Sequence, residues 1–292
     1  MDDLTYDLLQ MCRHNRDGGK TTQANRKSGL KLISHQLRES GFKYMKAQSL
    51  KPKHVQHLVE RWQSEGLQTG TIMNRMSHLR WWAEHVGKAG LIPSDNAMLG
   101  IERREYANGP NRAKTLDAEK LEKITDEHIR LSLKLQQAFG LRREEAIKFQ
   151  PTYADQNDHI KLKATWCKGG KERTIPIRNE EQRHILDEAK KLAKDGSLIP
   201  VHKSYVQQMD LYDKQCNKAG LDNMHGLRHM YAQTRYEELT GWKAPKAGGP
   251  STKDLTLQQR EMDRQTRLQI SQELGHERIE VTSIYLGSKL VN

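Results

Sequence analysis

Only one stretch of this 292-residue chain, residues 159–177, alternates apolar and polar side chains as a half-buried strand must. Ile160-Lys161-Leu162-Lys163 alternates, and so does Arg173-Thr174-Ile175-Pro176-Ile177. Between them Lys168-Gly169-Gly170-Lys171 supplies turn residues, which predicts a hairpin. The rest reads with helical spacing, punctuated by glycine. These patterns predict a mainly α protein with one small β-hairpin.

In the first hundred residues the spacing predicts helices over 21–40, 52–65 and 71–86, each stopped by a glycine: Gly41, Gly66 and Gly87. The third places Ile72, Met76, Leu79, Ala83 and Val86 on one face and Asn74, Arg75, His78 and Arg80 on others. Trp81 and Trp82 are adjacent, so they cannot share a direction, and at least one is expected in the core. Residues 101–115 carry charge, an Asn108-Gly109-Pro110-Asn111 turn cluster and no apolar period, the marks of an exposed linker. Thr115 or Asp117 then caps a helix over 118–125, followed by helices over 127–138 and from Gly140 to near Phe149. Beyond residue 180 the pattern is helical, broken at Gly196, Gly220 and Gly241, with a mobile loop expected over 240–253. Three segments follow: a helical domain over 1–102, a linker over 103–116 and a second domain over 117–292.

The 49 Lys and Arg exceed the 37 Asp and Glu, for a formal net charge of +12. That surplus favours a polyanionic partner, nucleic acid first and an anionic membrane surface second. No run reaches the ~18 apolar residues of a membrane span, and the start, Met1-Asp2-Asp3, is acidic where a signal peptide is basic. Cys12, Cys167 and Cys216 are widely spaced with no CxxC pair, which fits a reducing cytosol and a packing role for Cys167.

Five short stretches carry the chemistry: Phe139-Gly140-Leu141-Arg142-Arg143-Glu144-Glu145, Lys168-Gly169-Gly170-Lys171, His225-Gly226-Leu227-Arg228-His229, Leu274-Gly275-His276 and Ile284-Tyr285. A phosphodiester is an anion that resists an anionic nucleophile, so its charge must be neutralised. Guanidinium groups do this in bidentate fashion and stay charged at any working pH. Arg142 and Arg228 each follow a Gly-Leu pair and could clamp one phosphate, although either alone would pass for a basic surface residue. His225, three residues before Arg228, shares a helix face with it and could move a proton near neutral pH. Gly226 stands where a zinc protease helix carries glutamate, so the HExxH pattern is absent. Tyr285 is the candidate nucleophile; with an ordinary pKa of ~10 it needs nearby cations or a base. Lys168 at the hairpin tip could reach DNA and protonate a leaving oxygen. Glu172 after Lys171 breaks the nucleotide-loop pattern GxxxxGK[ST].

In this order, and with the short interval from His276 to Tyr285, the five stretches resemble the catalytic half of the tyrosine recombinase (phage integrase) family. The helices before them resemble, more loosely, that family's core-binding domain. The resemblance implies that Arg142 and Arg228 bind the scissile phosphate, with Glu145 supporting the first. Lys168 would be the general acid for the departing 5′ oxygen, with Lys171 as its substitute. His225 would assist proton transfer, His276 would bind the phosphate, and Tyr285 would form a 3′-phosphotyrosyl bond. No cofactor and no metal is implied. The two domains would close as a C-shaped clamp on double-stranded DNA, with Asn74, Arg75, His78 and Arg80 toward the major groove and Lys171 and Arg173 also facing DNA. Four protomers would hold two duplexes, with a directionality factor as a further partner, in the cytoplasm of a bacterium or phage host.

Two departures stand out. A basic, Gly- and Pro-rich insertion over 240–267 lengthens the interval from His225 to His276, and only residues 286–292 follow the tyrosine. No separate arm-binding domain is expected before the first helix. Three readings stay open on sequence: a site-specific recombinase, a type IB topoisomerase that lets the cut strand swivel, and a non-cleaving DNA-binding protein of the same fold.

Overall fold

The computed structural model describes residues 2–103, 109–276 and 278–288. Part of the expected linker, 104–108, and the end of the expected tail, 289–292, lie outside the described residues. The chain divides into two compact units, Met1–Arg104 and Glu105–Asn292.

The first unit is helical: α1 (Asp3–His14), α2 (Lys20–Glu39), α3 (Pro52–Ser64) and α4 (Thr69–His85). The first of these is not among the expected helices. It starts where the Asp2 carboxylate accepts the Thr5 amide, a side-chain cap for an otherwise unpaired donor. Leu4 and Leu8 of α1 join Leu30, Ile33 and Leu37 of α2, Leu58 and Trp62 of α3, and Ile72, Met76, Leu79 and Trp82 of α4 in one core. Each such buried side chain stabilises by about 1.5–3 kcal/mol. Both adjacent tryptophans are buried, by pointing to different partners. Trp82 donates to the Ala47 carbonyl (2.9 Å), while Trp81 lies under the Arg26 guanidinium (4.4 Å) and donates to Asp17 (3.2 Å).

The second unit opens with α5 (Ala118–Glu122), α6 (Glu127–Phe139), α7 (Arg143–Ile147) and α8 (Pro151–Ala154). Asp117 and Asp126 cap the first two through their side chains. The hairpin follows, β1 (His159–Leu162) antiparallel to β2 (Arg173–Pro176), with Ile160 opposite Ile175 and Leu162 opposite Arg173. Its connection is longer than the Lys-Gly-Gly-Lys turn, because a 3-10 turn, Ala164–Trp166, buries Trp166 first. Then come α9 (Glu180–Ala193), α10 (Tyr205–Ala219), α11 (Gly226–Thr240), α12 (Leu257–Glu273) and the single turn α13 (Ser283–Leu286).

Helix α6 is buried on two sides, which sets the plan of this unit. Leu135 and Phe139 enter the larger core with Ile160, Leu162, Ile175, Leu186, Tyr236 and Leu274, whereas Ile129 and Leu133 enter a second core with Ile147, Tyr212 and Leu227. The stretch 240–253, expected as a mobile loop, instead forms two 3-10 turns, Pro245–Ala247 and Thr252–Asp254. Ala244 and Thr252 are buried there, which accounts for the order. Among the described residues no helix is long and apolar enough to cross a membrane.

Candidate active site

Arg142, Arg228, His276 and Tyr285 come from four elements of the second unit, and tight turns deliver them to one place. Gly140 ends α6 with a φ of +61°, and a Cβ there would stand 2.6 Å from the Tyr231 ring, so only glycine permits the turn into Leu141-Arg142. Gly275 repeats the device after α12, with a φ of +65° and Arg173 Cδ 2.9 Å from where its Cβ would be. His276 follows directly.

Glu145 is the hub. Its carboxylate is fully buried and accepts from the Arg142 amide (2.7 Å), Arg142 Nη1 (2.8 Å), Arg173 Nη1 (2.9 Å) and Arg173 Nη2 (2.7 Å). Burial alone would raise its pKa. The hydrogen bonds and charge of Arg173, with the charges of Arg228 and Arg142, outweigh burial and bring it down to about 2. The carboxylate is therefore ionised at any working pH. Arg173 Nε also donates to the Glu273 carbonyl (2.9 Å), tying β2 to α12. The structure thus turns Arg173, expected to face DNA, inward with its guanidinium spent on Glu145, because strand alternation places it opposite Leu162 on the core side.

Arg228 is wholly buried on α11. Nη1 donates to the Gly140 carbonyl (2.5 Å) and Nη2 to the Leu274 carbonyl. The remaining edge faces Tyr285, with Nε 3.4 Å from the phenol oxygen and Nη2 3.4 Å from His276 Nε2. Burial lowers its pKa to about 10, which still leaves it charged at neutral pH. Two carbonyls fix this guanidinium, while its contacts toward the tyrosine are long and open to replacement by an anion.

Tyr285 is 4% exposed and its hydroxyl lies 3.2 Å from His276 Nε2. Burial, then the charges of Arg228, Arg142 and Arg173, push the His276 pKa down to about 3, so this imidazole is neutral at pH 7. His225 begins α11 with its ring 6.2 Å from the Tyr285 ring, its pKa also lowered by burial and by Arg228. One turn on, His229 packs closer, 4.6 Å from the Tyr285 ring, and burial brings its pKa down to about 4. Its Nδ1 is buried without a partner. His229 carries no role among the sequence-based expectations, although its four-residue spacing from His225 puts both on one helix face.

Lys168 and Lys171 are exposed on the connection between β1 and β2. Arg173 anchors that connection to Glu145. Beside it, burial raises the Cys167 thiol pKa.

In the first unit the structure separates the four polar residues of α4. Asn74 is exposed. Arg75 stacks on Trp62 (5.3 Å), His78 closes over Gly29, and Arg80 donates to the Pro93 carbonyl (2.8 Å) and Asn96 Oδ1 (2.6 Å).

Two family profiles match the chain: one described as phage integrase, N-terminal, over residues 1–92, and one described as integrase, over residues 104–234. Arg142, Lys168, His225 and Arg228 fall inside the second, and His276 and Tyr285 beyond it. No curated protein matches the chain in sequence. Among solved structures it is similar to XerH site-specific recombinase bound to palindromic difH substrate in a post-cleavage complex, at 17% identity, 96% of this chain, 80% of that one and a TM-score of 0.58. A lambda integrase dimer bound to a COC′ core site matches at 16% identity, 96% and 93% coverage and a TM-score of 0.59. A lambda integrase tetramer bound to a Holliday junction matches at 15% identity, 98% and 78% coverage and a TM-score of 0.59. At such identities these likenesses establish the fold, which is the tyrosine recombinase fold. With the two family profiles, they show that the chain belongs to the tyrosine recombinase, or phage integrase, family; it is a tyrosine-type site-specific DNA recombinase.

Proposed function

We propose that this recombinase integrates or excises a prophage, integrative element or genomic island, with Tyr285 as nucleophile. The observation that carries the assignment is the Tyr285 hydroxyl set between Arg228 Nε (3.4 Å) and His276 Nε2 (3.2 Å), side chains brought together from three separate elements.

The scissile phosphate takes the place of the long contacts between Arg228, His276 and Tyr285, with Arg142 on its other side. Both guanidiniums then stabilise the charge that builds up in the transition state. His225, through water, takes the phenolic proton as the tyrosine oxygen attacks phosphorus, while the neutral His276 holds the phosphate. The bond from phosphorus to the 5′ oxygen breaks, and Lys168 protonates that oxygen, with Lys171 as substitute. A free 5′-hydroxyl of a partner strand reverses the sequence. The phosphotyrosyl bond conserves the phosphodiester energy, so no nucleotide is consumed.

Both units contact DNA in this reading, and Asn74 with its exposed neighbours on α4 reads bases while other cations hold phosphates. Four protomers act on two duplexes; the lambda integrase tetramer on a Holliday junction supports that count. A directionality factor biases the outcome, and the protein works on chromosomal DNA in the cytoplasm. Affinity should fall steeply with salt, as phosphate contacts require.

The test is covalent trapping. Nicked duplexes carrying the site that the protein selects from a random-sequence pool are mixed with it in EDTA and resolved under denaturing conditions. An adduct formed by the wild type and not by Tyr285→Phe is expected. No adduct on a selected site would sink the nucleophile assignment. Relaxation of any supercoiled plasmid without that site would point instead to strand swivelling.

A further inference from the structure

The tyrosine sits on α13, a single turn too short to hold itself in water. The last carbonyls of any helix lack partners within it, and something must donate to them or leave them to solvent. Among the described residues, the internal closure at the end of α13 is the Gly287 amide donating to Ser283 O (3.0 Å). Three of the carbonyls that follow, those of Ile284, Tyr285 and Gly287, are met by long side chains from elsewhere. Lys246 Nζ donates to Ile284 O (2.8 Å), Gln233 Nε2 to Tyr285 O (2.9 Å) and Arg267 Nη2 to Gly287 O (3.1 Å). The Thr252 amide adds a bond to Ser288 Oγ (3.3 Å). Three of these four donors belong to the stretch 240–267.

That stretch is braced for the purpose. Arg267 pairs with Asp263 (2.8 Å), and both side chains are completely buried. Asp263 also accepts from Tyr236 Oη (2.6 Å) and Thr252 Oγ1 (3.4 Å). A buried ion pair is weak evidence of stability, since desolvation offsets most of its attraction. Arg267 Nη1 is even left buried without a partner. What the arrangement achieves is a guanidinium held still against Gly287 O, two residues past the tyrosine. Lys246 runs equally close, because a Cβ on Gly287 would lie 2.7 Å from Lys246 Cγ.

We propose that residues 240–267 form a clasp that seats Tyr285 for attack, with Lys246 and Arg267 as positioning residues. The inference rests on Tyr285 being the nucleophile. Opening the clasp lets α13 leave the pocket and parts the hydroxyl from Arg228 and His276, while the two phosphate-binding arginines stay in place.

The experiment compares Lys246→Met, which keeps the apolar stem and removes the donor, with Lys246→Arg, which restores one. At saturating selected duplex, the single-turnover rate of adduct formation should fall about tenfold in Lys246→Met, as a displaced nucleophile predicts, and return to within about twofold of wild type in Lys246→Arg. DNA affinity and its salt dependence should not change. Amide hydrogen exchange around Gly287 should quicken in Lys246→Met alone, with the rest of the unit unaltered. An unchanged rate, or a loss confined to affinity with a shallower salt slope, would overturn the clasp and make Lys246 a phosphate contact. A wild type that forms no adduct would remove the nucleophile assignment; exchange unchanged by Lys246→Met would remove the clasp.

Discussion

The two units of this chain bury opposite kinds of matter. The first closes over Trp62, Trp82 and a continuous set of aliphatic side chains, and Arg26, which it buries, is paired with Asp17. The second buries Glu145, Arg228, Asp263, Arg267 and Glu273 beside its apolar core. Buried charges cost several kcal/mol each in desolvation, so a fold keeps them only where they are paired and where position matters more than stability. Here they converge on the segments that carry Arg142, His276 and Tyr285. One unit is built for volume, the other for geometry.

The comparison breaks most sharply at the tyrosine. Tyr285→Phe should abolish adduct formation, by on the order of a thousandfold or more, and leave DNA binding and melting temperature near wild type. A residual rate within tenfold of wild type would show that another group attacks. Glu145→Gln should come next. It strands Arg173 and Arg142 beside a neutral amide and should cost about 3–5 kcal/mol in the second unit, read by denaturant unfolding with domain-resolved hydrogen exchange. A loss of under about 1 kcal/mol would mean that the hub is dispensable.

Acid should separate the units more gently. The folded pKa values of His229 and His276, about 4 and about 3, lie below the ordinary ~6.5 of an unfolded imidazole, so the unfolded chain takes up protons first. Their contribution is complete above pH ~6.5 and drains away as pH falls toward the folded values. His54 and His78 of the first unit are also held low by burial, without shifts of that size. The second unit should therefore loosen first between pH 7 and 5, and equal loosening of both would contradict the contrast. The smallest effects belong to α4. Arg80→Ala removes three hydrogen bonds, to Pro93 and Asn96, and should cost the first unit about 1–3 kcal/mol. Asn74→Ala should stay within about 0.5 kcal/mol in stability and instead weaken binding to the selected site. If Arg80→Ala kept full stability and lost only affinity, it would be a groove contact after all.

Much of the local structure was legible from periodicity and punctuation. The helices near residues 21–40, 52–65 and 71–86 lie within two residues of α2, α3 and α4, because caps and apolar spacing act over a few residues. The hairpin was legible for the same reason. The first helix was not, since its capping by Asp2 and its apolar face are short signals that only contact with α2 makes decisive. Nor was the order over 240–253, where glycine and proline suggested a loop: turns with few internal bonds become ordered only when another segment, here α13, supplies the partners. The role of Arg173 also escaped, because strand alternation says that a side chain faces inward but not that a buried carboxylate waits there.

By itself, then, the amino-acid sequence determined the types of side chain, their order and the elements that carry them, since these follow from short-range spacing and from chemistry each residue keeps anywhere. Only the tertiary structure decided that Glu145 binds two guanidiniums at once, that His229 packs on Tyr285, and that Lys246 and Arg267 reach the carbonyls around the tyrosine. Those are contacts between residues far apart in the chain, and their strength depends on burial that no local pattern encodes.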